Sequence, residues 1–252
     1  MNSGILNKRV TVTGPEPGTN AAVADAAVTD AAMGTQNVLG RRLGRKGKES
    51  RERILAAFER LLGGPPECPI TLSAVARESG LGLSTLYLYF PDLGALALTA
   101  LRRIPNKGPV VFVELLRTFW TDEVLARRCL EFTRAYYAFW RENSRIMHLR
   151  NTLADANDPR FLDARHQALH PVIVMLVEQM AGDPQDSASF PIHIARVLLT
   201  GVERICTVLT NPVYPFGVTT GHASDPDDIE HLLAAEAHLL FLAIRDQRHA
   251  RP

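Results

Sequence analysis

The chain has 252 residues, 46% of them hydrophobic and 22% charged, a profile that excludes an intrinsically disordered protein and gives apolar mass for one sizeable core or two small ones. The net charge of +1 is unevenly spread: within residues 41–60, Arg41, Arg42, Arg45, Lys46, Lys48, Arg51, Arg53 and Arg60 stand against Glu49, Glu52 and Glu59, so the remainder is net acidic. Cys68, Cys129 and Cys206 are odd in number and far apart, which excludes a disulfide framework and a cysteine zinc site.

Residues 1–43 are rich in Ala, Gly, Thr and Asn with few large apolar side chains, so they are expected to form a disordered tail that ends in a basic arm. From residue 50, Ile54, Leu55, Phe58, Leu61 and Leu62 recur at helical spacing until Gly63-Gly64-Pro65-Pro66 stops the helix. A second helix is expected over residues 72–79 with Thr71 as its N-cap, then a turn at Gly80-Leu81-Gly82. A third follows over residues 83–89, and Pro91-Asp92 opens a fourth that runs to about residue 103 before Pro105. Beyond Pro105, helices are expected over residues 124–143, 147–153, 159–180, 189–209 and 227–245, with a break at Gly182-Asp183-Pro184 and a loop over residues 211–226. No strand pattern of useful length occurs, so the predicted fold class is all-α. It comprises a helix-turn-helix domain at residues 44–103 and a helical ligand-binding and dimerisation domain at residues 104–252.

No apolar run reaches the roughly 18 residues of a membrane span, and the first residues lack a leader-like apolar stretch, so a soluble, cytoplasmic protein is expected. The basic block suits a polyanion, because phosphates are gathered by nearby cations rather than by average charge. A solvated helix face would carry the same charges.

A helix-turn-helix needs a small residue where its helices touch, a turn that reverses sharply, and a second helix free to enter a groove. Ala76, Gly80 and Leu81 meet the first two needs, while Leu86 and Phe90 anchor the second helix. The run Thr71-Leu72-x-x-Val75-Ala76-x-x-Ser79-Gly80-Leu81-Gly82-x-Ser84-Thr85-Leu86-Tyr87-x-Tyr89-Phe90-Pro91-Asp92, preceded by an Arg-flanked helix, resembles the N-terminal head of the tetracycline-repressor (TetR) family. The resemblance covers residues 50–101. It implies a helical body that binds a small molecule and dimerises through its last two helices. It also implies phosphate contacts from Thr71, Tyr87 and Tyr89, and base edges faced by Ser84 and Thr85.

The sequence departs from the family at Leu93, where a lysine is common, and at Leu83 and Leu88, where polar or basic side chains are frequent. A leucine reads shape or a thymine methyl, so backbone contacts and DNA shape are expected to carry more of the recognition. Arg41, Arg42, Arg45, Lys46 and Lys48, placed just ahead of the first helix, are either an arm along the phosphates or a solubilising linker.

In the body, Phe132, Tyr136, Tyr137, Phe139 and Trp140 share a stripe, joined by Phe119, Trp120, Met147, Phe161 and Met175. Such a set lines a ligand cavity or simply fills a core. The ligand candidates are Phe132, Thr133, Tyr136, Tyr137, Trp140, His148, Asn151 and Met175. Ile194, Val197, Leu198, Gly201 and Ile205, with Leu232, Leu233, Leu239, Leu240 and Ile244, fit a dimer face, and burial within one subunit accounts for them almost as well.

His166 and His170 have metal-ligand spacing but no third partner, so a solvated or packing pair is favoured and no metal, cofactor or catalytic residue is expected. The sequence therefore points to a non-enzymatic, homodimeric transcriptional regulator that binds an operator duplex. Its most natural role is repression relieved by a small apolar or amphipathic effector. The alternative is a helical ligand-binding or interaction module with a degenerate helix-turn-helix.

Overall fold

The computed structural model describes residues 36–65, 68–104, 110–181, 189–211 and 226–249. Ten α-helices follow one another among these residues, and no strand does: α1 Arg45–Leu62, α2 Leu72–Ser79, α3 Leu83–Tyr87, α4 Leu93–Leu101, α5 Val111–Leu116, α6 Asp122–Glu142, α7 Ser144–Asp155, α8 Pro159–Ala181, α9 Ser189–Leu209 and α10 Pro226–His249. The fold is all-α, as expected. Residues 1–35, Pro66, Pro105, the break at Gly182-Asp183-Pro184 and residues 212–225 of the expected loop lie outside the described residues.

The head forms as its local signals dictate. Ile54, Leu55, Ala57 and Phe58 put one face of α1 wholly out of solvent. Thr71 caps α2 by accepting the Ala74 amide at 3.1 Å, and Gly80 ends that helix at φ +65°, a left-handed conformation that costs glycine little. Asp92 caps α4 by accepting the Ala95 amide at 2.7 Å. Val75, Ala76, Leu86, Phe90, Leu96 and Ala97 complete the packing between α1 and α4.

Helix α1 begins five residues before residue 50, so Arg45, Lys46 and Lys48 lie inside it and not on an arm ahead of it. Apolar periodicity cannot register two polar turns, but Arg45 and Glu49 pair across one of them at 3.1 Å. Helix α3 is shorter than the expected 83–89 segment. The Tyr89 and Phe90 amides both donate to the Leu86 carbonyl, tightening the chain ahead of Pro91, before which helical backbone is disfavoured. Residues 36–44 form a folded turn rather than part of a structureless tail: the Gly40 amide donates to the Asn37 carbonyl at 2.9 Å, with Gly40 at φ +73°.

In the body, α6 packs against α5 and α10, while α8 packs against α7 and α9. Helix α5, absent from the sequence reading, follows Gly108 and Pro109 and is a short apolar run without enough turns to reveal a period. Buried Gln179 of α8 fixes the join between α5 and α6. Its side-chain oxygen accepts the Trp120 amide at 2.9 Å, and its side-chain NH2 donates to the main-chain carbonyls of Leu116 and Thr118 at 3.1 and 3.0 Å. Helix α10 continues past residue 245 because Arg248 donates to the Gln179 carbonyl at 2.9 Å and to Asp122 at 2.6 Å. The apolar core is continuous from Ile54 in α1 to Ile244 in α10. No helix among the described residues is long and apolar enough to cross a membrane.

Candidate nucleic-acid interface and effector cavity

Helices α2 and α3 form the helix-turn-helix. The left-handed Gly80 turns the chain, the Leu81 amide returns to the Ala76 carbonyl at 3.1 Å, and Arg53 of α1 holds the corner by donating to the Ser79 carbonyl at 2.8 Å. Leu86 is the buried anchor of α3, so the opposite face is free. Leu83 is 37% exposed, Tyr87 45% and Leu88, just past the helix, 44%; Ser84 is exposed beside them. Three neighbouring large apolar side chains in solvent are an unusual cost for a free surface, and a duplex groove would cover them.

Arg45, Lys46 and Lys48 crowd the first turn of α1, which has no acidic residue. Cations at a helix N-terminus oppose the macrodipole, an arrangement that an adjacent phosphate relieves. Arg41 and Arg42 are exposed in the preceding turn.

Above the head lies a cavity of about 1240 Å³. Leu98 and Thr99 of α4 and Arg102 at its C-cap wall one side, and Phe112, Tyr136 and Phe139 another, with the Phe112 ring centroid 4.6 Å from that of Tyr136 and 5.3 Å from that of Phe139. Ala164, Ala168, Val172 and Met175 of α8 complete it, the two alanines leaving space that larger side chains would occupy. Arg150, Gln167 and Arg160 join a lining that also carries Arg51, Arg102, Glu114, Arg117 and Asp163, so the site combines apolar walls with a substantial polar and charged share, as an amphipathic occupant would need. Arg150 is itself buried, donating to Glu203 at 2.7 Å and to Asn151 at 3.0 Å with its guanidinium 5.7 Å from the Trp140 ring.

The cavity borders the elements that hold the head. Asp92, at the start of α4, receives Arg160 of α8 at 3.0 Å. Arg103, just past α4, forms a two-pronged pair with Glu52 of α1 at 2.6 and 2.7 Å. On the far side, Arg145 of α7 donates to the carbonyls of Leu61, Gly64 and Cys68.

Against known proteins, 88 residues of the chain are 35% identical to the HTH-type transcriptional regulator EthR of Mycobacterium tuberculosis, strains CDC 1551 and H37Rv, and to the protein of that name from Mycobacterium bovis strain AF2122/97. The match spans 34% of this chain and 41% of each relative's length. No family model matches. The match to an HTH-type regulator agrees with the helix-turn-helix formed by α2 and α3 and supports the resemblance of residues 50–101 to the TetR family.

Within this helix-turn-helix head, the residues singled out from the sequence separate by position. Leu83, Ser84, Tyr87 and Leu88 share the open side of α3 and its end, and Arg41, Arg42, Arg45, Lys46 and Lys48 are all exposed except that α1 now carries the last three. Thr71 is exposed while its hydroxyl caps α2. Thr85 is half-buried, and Tyr89 turns toward the cavity, whose lining it joins.

Of the ligand candidates, Tyr136 and Met175 line the cavity and the other six stand outside its lining. Phe132 is sealed in the core between Phe112, Trp120 and Tyr136. The Thr133 hydroxyl is held at the carbonyls of Leu130 and Leu233, His148 faces the Thr210 hydroxyl at 3.0 Å, and Asn151 accepts from Arg150. Tyr137 lies half-buried beneath Arg141, and Trp140 is buried against His148. Of the α8 wall, the sequence reading named Met175 but missed Ala164, Ala168 and Val172, which fall on the same helical stripe, and it missed Phe112 along with α5.

Proposed function

We propose that the chain is a homodimeric transcriptional regulator, a repressor whose affinity for an operator is tuned by a small apolar or amphipathic molecule held in the cavity above α4. The observation that carries this reading is the exposure of Leu83, Ser84, Tyr87 and Leu88 on the second helix of a TetR-type helix-turn-helix, next to a basic helix start. The likeness to the HTH-type transcriptional regulator EthR over the matched 88 residues supports it.

The cavity supports the effector part of the reading, since α4 supplies part of its wall and is tied to both α1 and α8. An occupant that prefers one placement of α4 shifts the population of that placement, and with it the separation of two recognition helices that must meet half-sites about 34 Å apart. A dimer through α9 and α10 is supported by Val197, 72% exposed, and Leu239, 54% exposed, large apolar side chains with no cover in the single chain.

The second reading, a ligand-binding module with a degenerate head, rests on Leu83 and Leu88 standing where polar base-reading side chains are frequent in the family. A gel-shift titration at stated salt separates the two. Binding to the chain's own upstream region that exceeds binding to random duplex supports a regulator, and equal affinity supports the module. Mass spectrometry of the purified protein, released from any co-purified small molecule, tests the cavity.

A further inference from the structure

The turn at residues 36–44 borders both of the surfaces just described. It is built from its own bonds: the Asn37 amide donates to the Arg41 carbonyl at 2.9 Å, and the Asn37 side-chain oxygen accepts the Leu39 and Arg41 amides at 3.1 and 2.9 Å. It is seated on the head by one further bond, from the Val38 amide to the carbonyl of Leu88 at 3.0 Å, immediately past the end of α3. On its other side Gln36, Asn37 and Val38 line the cavity beside Tyr89 and Phe90. Arg41 and Arg42 lead from this turn into α1.

We infer that residues 36–44 form a strap belonging to the effector site, one that an occupant of the cavity seals against the end of the recognition helix. This rests on the ligand-responsive reading above and adds a binding element to it. The Val38 side chain is half in solvent, so an apolar occupant gains the added contact with Val38 only while the strap is docked. Binding and docking therefore strengthen each other by the same factor, as linkage between two equilibria requires. The docked strap in turn fixes where Arg41 and Arg42 stand relative to Tyr87 and Leu88, so a signal in the cavity reaches the duplex-facing side without passing through α4.

The test uses the full chain, with 1-anilinonaphthalene-8-sulfonate as the cavity probe and hydrogen exchange by mass spectrometry as readout. The informative variant is Val38→Pro. Val38 holds the second position of a four-residue turn closed by the Gly40 amide, where proline is favoured, so the turn survives while the amide that docks on Leu88 is lost. Asn37→Ala loosens the turn itself and gives a second perturbation.

The dye is expected to slow exchange in peptides from α4, α8 and residues 36–44 together, and Val38→Pro to weaken its affinity roughly three- to tenfold, the scale of part of a valine's burial, with exchange in the body unchanged. Asn37→Ala should act in the same direction. Slower exchange along α4 and α8 with none at residues 36–44, and equal dye affinity in Val38→Pro, would overturn the strap while leaving the effector cavity standing. No dye-dependent protection along α4 or α8 would remove the cavity as a binding site and the strap with it.

Discussion

The carboxylate of Asp92 is shared between head and body: it accepts the Ala95 amide at 2.7 Å, starting α4, and it receives the Arg160 guanidinium of α8 at 3.0 Å. One side chain thus fixes both where the last helix of the head begins and where the long wall of the cavity approaches it. The two roles differ in energy. The cap is worth about 1 kcal/mol, whereas an ion pair as exposed as this one adds about 0–1 kcal/mol. Asp92→Ala is therefore expected to destabilise the chain by about 1–2 kcal/mol in urea unfolding. Asp92→Asn, which keeps the capping oxygen, and Arg160→Met should each cost less than about 1 kcal/mol.

Gly94 makes that junction possible. A methyl group there would lie 2.8 Å from the Arg160 guanidinium, 3.0 Å from the Asp92 carboxylate and 3.2 Å from the fully buried Phe161 ring. The guanidinium can swing aside, but the ring cannot. Gly94→Ala is expected to cost about 1–3 kcal/mol by overpacking, despite alanine's better helix propensity. An unfolding midpoint equal to or above that of the wild type would show that α4 and α8 are not held this tightly.

The pair of buried Arg150 and largely buried Glu203 makes a different prediction, because little solvent reaches either side chain. Arg150→Met leaves a buried carboxylate without its cation and should cost about 3–5 kcal/mol. Adding Glu203→Gln removes that orphaned charge and should restore a large part of the loss, a non-additivity that a double-mutant cycle in denaturant measures directly.

Glu236 of α10 is buried against Gly201 of α9, where a methyl group would meet its carboxylate oxygen at 2.8 Å, and burial raises its pKa above the usual carboxylate value. The folded chain then takes up its proton at higher pH than the unfolded chain does. Its contribution to stability is present in full below the unfolded value of about 4.5 and is lost as pH rises through the folded value. The difference in stability between wild type and Glu236→Gln should accordingly shift in favour of the glutamine variant as pH rises from 4.5 toward neutrality. A pH-independent difference across that range would refute a buried carboxyl.

The head was legible in the sequence because its signals are local. Thr71, Gly80 and Asp92 each act on backbone within four residues, and α2 was expected over its observed residues for that reason. The polar start of α1 was hidden, since Arg45 to Lys48 carry no apolar period and their helix is set by the buried face that Ile54, Leu55 and Phe58 form further along it. The cavity was the least legible part. A space is defined by residues that fail to fill it, here from the turn before α1 as well as from α4 to α8, and six of the eight ligand candidates stand outside its lining, Phe132 in the core and Thr133 at the Leu233 carbonyl. Periodicity reveals which side chains leave solvent, but not whether they meet a neighbour or a void.

The most direct test of the central claim is the affinity of Ser84→Glu for a duplex selected by the wild-type protein from a random-sequence pool, measured by fluorescence anisotropy at fixed salt. Ser84 is exposed on α3, so the substitution leaves folding intact while setting a carboxylate against the floor of the groove and its flanking phosphates. The account predicts an affinity lower by more than about tenfold with an unchanged unfolding midpoint. Undiminished binding by Ser84→Glu would mean that α3 does not enter the groove.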